Sequence, residues 1–243
     1  MVVAANRDEF HARPAAPAAW GTAAPFADIL AGRDLEAGGT WFGVRRDGRW
    51  ALVTNVREGG RFDANARSRG ELVPRILDTG GPLLESLPRV ATAGADYNGF
   101  NLLAGDAAGA VWGSNRAPEA RALTSGVHGL SNALLDTPWP KLAWSKAAMA
   151  AWCRSAEVST APLFAALVAT AQAPDADLPA TGIPLERERL LSSPFIISAS
   201  YGTRCSTVFT LDRHSGAYFH ERTFDAAGKA QGDAAYEFAV AVR

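Results

Sequence analysis

The sequence predicts an α+β fold built on mostly antiparallel sheet. Two observations carry this. The β-rich runs meet in pairs through tight turns, and the helical segments fall in pairs between those hairpins. A doubly wound parallel sheet would instead place a crossover helix after each strand. The chain has 243 residues, 48% apolar and 20% charged, which is enough to bury one sizeable core. No Pro/Gly-rich or charged stretch reads as a linker, so residues 1–243 are read as one domain.

Residues 1–6 read as a short strand ending in the polar cluster Asn6-Arg7-Asp8-Glu9. Residues 11–26, with Pro14, Pro17 and Pro25, read as an extended surface stretch. The runs 40–46 and 49–56 flank Asp47-Gly48, a strong hairpin signal, and alternation puts Trp41, Gly43 and Arg45 on one face. Ser68 followed by Glu71 resembles a capping box, with Leu72, Ile76 and Leu77 at helical spacing behind it. A short helix is expected over 82–92 and strands over 99–105 and 110–115. One more strand is expected over 127–132, leading to Asn132. Alanine-rich helices are read over 138–155 and 160–173, then a loop over 174–185. A last hairpin, 205–212 with 217–224, turns at His214-Ser215-Gly216, and 235–242 closes the sheet.

The totals exclude several roles. With 24 basic and 25 acidic residues the net charge is −1, so no broad field gathers nucleic acid or anionic lipid. No apolar run is long enough to cross a bilayer. The residues after Met1, Val2-Val3-Ala4-Ala5, lack the charged segment and cleavage site of a signal peptide. Two cysteines do not make a disulfide framework, and a reducing, cytoplasmic setting is expected. His11, His128, His214 and His220 are scattered, so no metal site is expected.

Eight blocks then carry a resemblance. They are Ala5-Asn6-Arg7-Asp8-Glu9-Phe10 with Arg13-Pro14; Gly38-Gly39-Thr40-Trp41 with Gly43; Leu52 to Asn55; and Ser68-Arg69-Gly70-Glu71-Leu72. Further along come Tyr97-Asn98-Gly99-Phe100-Asn101-Leu102, His128-Gly129-Leu130-Ser131-Asn132, Thr137-Pro138-Trp139 with Lys141, and Tyr201-Gly202-Thr203-Arg204. In this order they resemble the NRDE family, also called the transport and Golgi organisation protein 2 family. That family is in turn similar to the Ntn hydrolases, so the resemblance implies a four-layer αββα sandwich of two mostly antiparallel sheets. Members usually open with Met-Cys and a strand. This sequence starts inside the strand that carries the NRDE segment, and neither Cys153 nor Cys205 lies near its start. The opening sheet edge this implies would be uncovered, prone to pair with another chain as a homo-oligomer.

The resemblance also implies roles. Asn55 looks like an oxyanion-hole asparagine, and Asn132 like a second asparagine that orients substrate. Arg204 resembles an arginine that holds a thiolate or carboxylate. Asp8 and Arg7 resemble an Asp and Arg flanking the nucleophile, with Asn6 and Glu9 competing for those positions. Each has a plainer reading: a solvated turn for Asn6 to Glu9, turn asparagines at 55 and 132, a paired strand-end arginine at 204. Cys205 reads as a small core residue and Cys153 as helix packing. Of the seven tryptophans, Trp139, between Pro138 and Pro140, is the one read as walling a pocket.

Three readings are weighed. The first is binding or trafficking of a small amphipathic ligand, haem or lipid-like, with no resident cofactor. The second is an N-terminal-cysteine amidohydrolase or acyltransferase on C–N amide bonds, inactive in a chain without that cysteine. Both expect Asn6 to Glu9, Asn55, Asn132 and Arg204 to converge around one cleft between two stacked sheets, whereas the third, a structural or interaction role with no ligand, expects no polar cavity around Asn55, Asn132 and Arg204.

Overall fold

The computed structural model describes residues 1–155, 157–212 and 216–241, with backbone alone at 91–93. Among the described residues, eleven strands and five α-helices run in the order β1 (Val2–Phe10), β2 (Ala15–Trp20), β3 (Ile29–Asp34), β4 (Phe42–Arg45), β5 (Trp50–Asn55), α1 (Leu72–Asp78), α2 (Leu83–Ala91), β6 (Phe100–Asp106), β7 (Gly109–Ser114), β8 (Arg121–Ala122), α3 (Pro140–Arg154), α4 (Ala161–Leu167), α5 (Leu185–Leu190), β9 (Tyr201–Leu211), β10 (Gly216–Phe224) and β11 (Ala230–Ala239).

Two sheets form, and all their named pairings are antiparallel. One has the order β1-β9-β10-β11; the other runs β2 to β8 in sequence order. Strand alternation sorts the apolar residues into layers. On β5, Trp50 and Leu52 point between the sheets, while Ala51 and Val53 point outward. The inward set meets Phe209, Leu211 and Phe219 of the smaller sheet, with Phe42 edge-on to Phe209 and Trp50. The outward set of the larger sheet is covered by Leu72, Val73, Ile76 and Leu77 of α1 and Leu83 and Leu87 of α2. The smaller sheet's outer face, Val2, Ala4 and Val208, is covered by Met149 and Trp152 of α3 and Leu163, Phe164 and Leu167 of α4. Helices, sheet, sheet, helices are therefore four layers, an α+β sandwich as the hairpin order predicts.

Several local expectations are corrected. β1 extends through the NRDE cluster to Phe10, because β9 supplies partners that far, down to Phe10↔Tyr201. Within 11–26 the chain forms β2, and β3 follows unforeseen. Short alanine- and glycine-containing strands carry too little alternation to be read alone. Trp41 does not share a face with Gly43 and Arg45. The latter two point at α1, Arg45 donating to the Leu77 carbonyl, whereas Trp41 precedes β4 and turns between the sheets. Ser68 makes no side-chain cap; a 3-10 turn, Arg69–Glu71, leads into α1, and Glu71 instead pairs with Arg67 and accepts from the Tyr97 hydroxyl. No strand forms over 127–132. α4 stops at Leu167, where the Ala169 carbonyl turns to accept from Phe195 N–H. The 174–185 loop holds a 3-10 turn at Asp175–Asp177, and α5 follows it unforeseen. Residues 213–215, with the turn residues His214 and Ser215, lie outside the described residues.

Candidate functional site

A groove of about 1950 Å³ runs along the edge of β1 that β9 does not cover. One wall is β1 itself, from Met1 to Phe10. The other lining includes the end of β5, the loop 123–132, residues 62–70, the segment before β9, and α3 with Lys141, Leu142 and Met149. The sequence of β1 makes this groove amphipathic: Val2-Val3-Ala4-Ala5 lines one half and Asn6-Arg7-Asp8-Glu9 the other.

Alternation divides the NRDE side chains between the layers. Asn6 faces the helices. Its amide donates to the carbonyls of Leu167 (2.8 Å) and Pro194 (2.9 Å), and its oxygen accepts from the Ser206 hydroxyl (2.6 Å). Arg7 is buried between the sheets, its guanidinium 4.2 Å from the Trp41 ring centre, and Nη1 has no hydrogen-bond partner among the described residues. Gly32 makes room for that indole: a Cβ there would lie 2.3 Å from Trp41 Cζ2. A bulge between Arg7 and Asp8 leaves Arg204 of β9 out of the pairing. Asp8 then accepts from the Thr203 hydroxyl (2.7 Å). Glu9 accepts from Phe10 N–H and lies 3.8 Å from Arg13, which is clamped on Asp34.

The end of β5 is zipped to the 131–132 segment. The Thr54 hydroxyl donates to the Ser131 carbonyl, the Asn132 amide to the Asn55 carbonyl (3.1 Å), and Arg57 N–H to the Asn132 carbonyl (2.7 Å). Asn55 and Asn132 thus meet at the groove, which residues 6–9 of β1 also line. Arg204 and Trp139 are not in its lining. Arg204 Nη1 donates to the carbonyls of Phe10, His11 and Arg13, holding the chain as it leaves β1. Trp139 stands just before α3 with the Arg57 guanidinium 4.8 Å from its ring centre.

The structure adds residues that sequence reasoning did not place in the site. Arg57 Nη1 donates to Glu188 Oε2 (2.6 Å), and Glu188 Oε1 accepts from Thr181. Lys141, in the first turn of α3, lines the groove, and its ammonium makes no hydrogen bond or ion pair among the described residues. Burial holds it down at about 8, partly countered by Asp8 and reinforced by Arg57. Burial likewise raises the Asp8 carboxyl, against the opposing pull of Lys141 and Thr203. Tyr201 is raised by burial and by Asp8 and Glu9. Lys141 and Tyr201 stood inside recognised blocks, so their presence was legible; their convergence with Asp8 was not. Glu188 sits on a helix that the sequence did not reveal.

Beside this centre, His128 Nδ1 and Asp136 Oδ2 are 2.8 Å apart, and Asp136 Oδ1 accepts from Lys146 (2.6 Å) and Gly129 N–H. This ties the groove-lining loop to α3. The Cys205 thiol is buried, and burial together with Glu221 pushes it well up. Both described cysteines are free. Among the described residues no helix is long and apolar enough to cross a membrane.

The family model for Transport and Golgi organisation 2 matches residues 1–226. The chain belongs to the Transport and Golgi organisation 2 family. It is 38% identical over 241 residues to the Transport and Golgi organization protein 2 homolog of Bos taurus, covering 92% of this chain and 86% of the relative. The homologs of Homo sapiens (36%) and Mus musculus (35%) match with the same coverage. The groove along β1 is therefore a feature of a Transport and Golgi organisation 2 chain, and residues 1–226 hold all of its lining.

Proposed function

We propose that this protein binds or traffics a small amphipathic ligand, haem or lipid-like, in the groove along β1. The supporting observation is the groove's polarity: an apolar half along Val2–Ala5 passes directly into a charged half at Asn6–Glu9 and Lys141. At about 1950 Å³ it exceeds the ~300–1,000 Å³ usual for compact small-molecule pockets, which suits a long tail. His128 is engaged at both ring nitrogens, by Asp136 and the Thr124 carbonyl, so haem here would rest on its ring and propionates rather than on that imidazole. The free thiols fit a reducing, cytoplasmic setting as part of the same reading.

Titration with haem and with an environment-sensitive fatty-acid dye tests the proposal. A saturable spectral change is expected, weakened in Ser145→Trp, which places an indole in the groove from α3. Unsaturable uptake, unaffected by that substitution, would overturn it.

The second reading, hydrolysis or acyl transfer at C–N amide bonds, draws support from Asn55 and Asn132 meeting at the groove. Its nucleophile is not Cys205, whose sealed, poorly ionised thiol opposes thiolate chemistry.

A further inference from the structure

Lys141 and Asp8 line the same groove, one on α3 and one on β1. Each acts electrostatically on the other, yet no ion pair joins them. The other charges around Lys141 are Arg57 and Glu188, and these are spent on each other at 2.6 Å. Asp8 has one carboxylate oxygen on Thr203, and its second makes no hydrogen bond among the described residues. A free ammonium and a half-free carboxylate thus face a shared space at the polar end of the groove. Both are partly withdrawn from water, so each lacks its full solvation without gaining a protein partner. A ligand with only an anionic head would satisfy Lys141 and be opposed by Asp8; a purely cationic head would do the reverse.

Building on the amphipathic-ligand reading, we infer that the ligand's head is zwitterionic, its carboxylate or phosphate on Lys141 and its ammonium on Asp8. The apolar tail then runs along Val2–Ala5 between β1 and α3, beside Leu142 and Met149. Asn132, at the groove with its amide on the Asn55 carbonyl, keeps its own carbonyl engaged by Arg57 N–H, so it frames the head rather than competing for its charges.

The test compares three probes with the same alkyl tail: a fatty acid, an alkylamine and an α-amino acid. Each competes with the fatty-acid dye on the full chain. The α-amino acid is expected to bind about tenfold more tightly than either singly charged probe, the effect of one added charge-assisted hydrogen bond. Lys141→Met should lower its affinity to that of the alkylamine, and Asp8→Asn to that of the fatty acid. Lys141→Arg, which keeps the cation, should retain the preference, and a single cooperative thermal unfolding transition in each variant shows that the fold survives. Equal affinities for the three probes, with the tails still bound, would overturn the zwitterionic head alone. If no alkyl probe displaces the dye, the amphipathic-ligand reading fails and takes this inference with it. A phospholipid headgroup and a free amino acid share this chemistry; comparing a lysophospholipid with phosphoserine separates them.

Discussion

Lys141 holds a cation in a half-buried position with no hydrogen-bond or ion-pair partner among the described residues, and that arrangement has a stability cost. An unfolded lysine titrates near ~10.4. Between about 8 and ~10 the unfolded chain therefore binds more protons than the folded one, and this group makes stability rise with pH across that window. Below about 8 both states are charged and the whole cost remains. Lys141→Met should stabilise the ligand-free protein by about 1–3 kcal/mol at pH 7, with the gain vanishing above pH ~10, in urea unfolding. A variant less stable than the parent at pH 7 would show that the ammonium has a compensating partner. Gly32 poses the opposite problem. Its missing side chain is where the Trp41 ring lies, with Glu221 Oε2 3.2 Å from the Cβ position. Gly32→Ala should cost about 1–3 kcal/mol by overpacking, read as a lower denaturation midpoint at unchanged slope.

At the scale of the element, the loop 123–139 walls the groove without a strand of its own, so its shape depends on a few polar anchors. Asp136 is the main one. Burial pushes its carboxyl up, but the bonds from Lys146, His128 and Gly129 N–H outweigh this and hold it at about 2. Its contribution is complete above the unfolded value of ~3.9 and is lost as pH falls toward about 2. Asp136→Asn should cost about 1–2 kcal/mol, discounted for its partial exposure, and flatten the acid limb of the stability profile. An unchanged acid limb would assign that limb to other carboxylates. β1 is the other exposed element. Its groove-side edge carries no strand among the described residues, so its outward N–H and C=O groups are open to pairing. Sedimentation velocity should show reversible self-association that rises with concentration and falls when the groove is filled by ligand. A strictly monomeric protein at every concentration would contradict this.

For the whole molecule, the two sheets and their helices define three apolar layers, and the groove beside β1 is lined from two of them, the layer between the sheets and the layer under α3 and α4. A ligand that fills this space binds only the folded chain. An amphipathic ligand at ~100 times its Kd should therefore add ~2.7 kcal/mol of stability and raise Tm accordingly. A saturating ligand that leaves Tm unmoved would place its binding elsewhere or on the unfolded chain.

The sequence by itself determined most of the hairpins and helices that make the sandwich, because alternation and turn residues act locally, whereas β3 and α5 were not legible in it. Asp47-Gly48 closes the β4–β5 hairpin, and the 99–105 and 110–115 runs appear as β6 and β7. It also marked the blocks that bring Asn6 to Glu9, Asn55 and Asn132 to the groove. What it could not carry were features decided by distant partners. β1 reaches Phe10 because β9, some two hundred residues later, pairs with it. Trp41 leaves the face its spacing assigns because Arg7 and Gly32 receive its ring. Arg204 is drawn from the groove to three carbonyls by a bulge that only pairing creates. Lys141 and Asp8 line one groove because a helix and a strand far apart in the chain are packed side by side. Local patterning fixes which residues can form strands and helices; only the closed tertiary fold decides which charges are left without a partner.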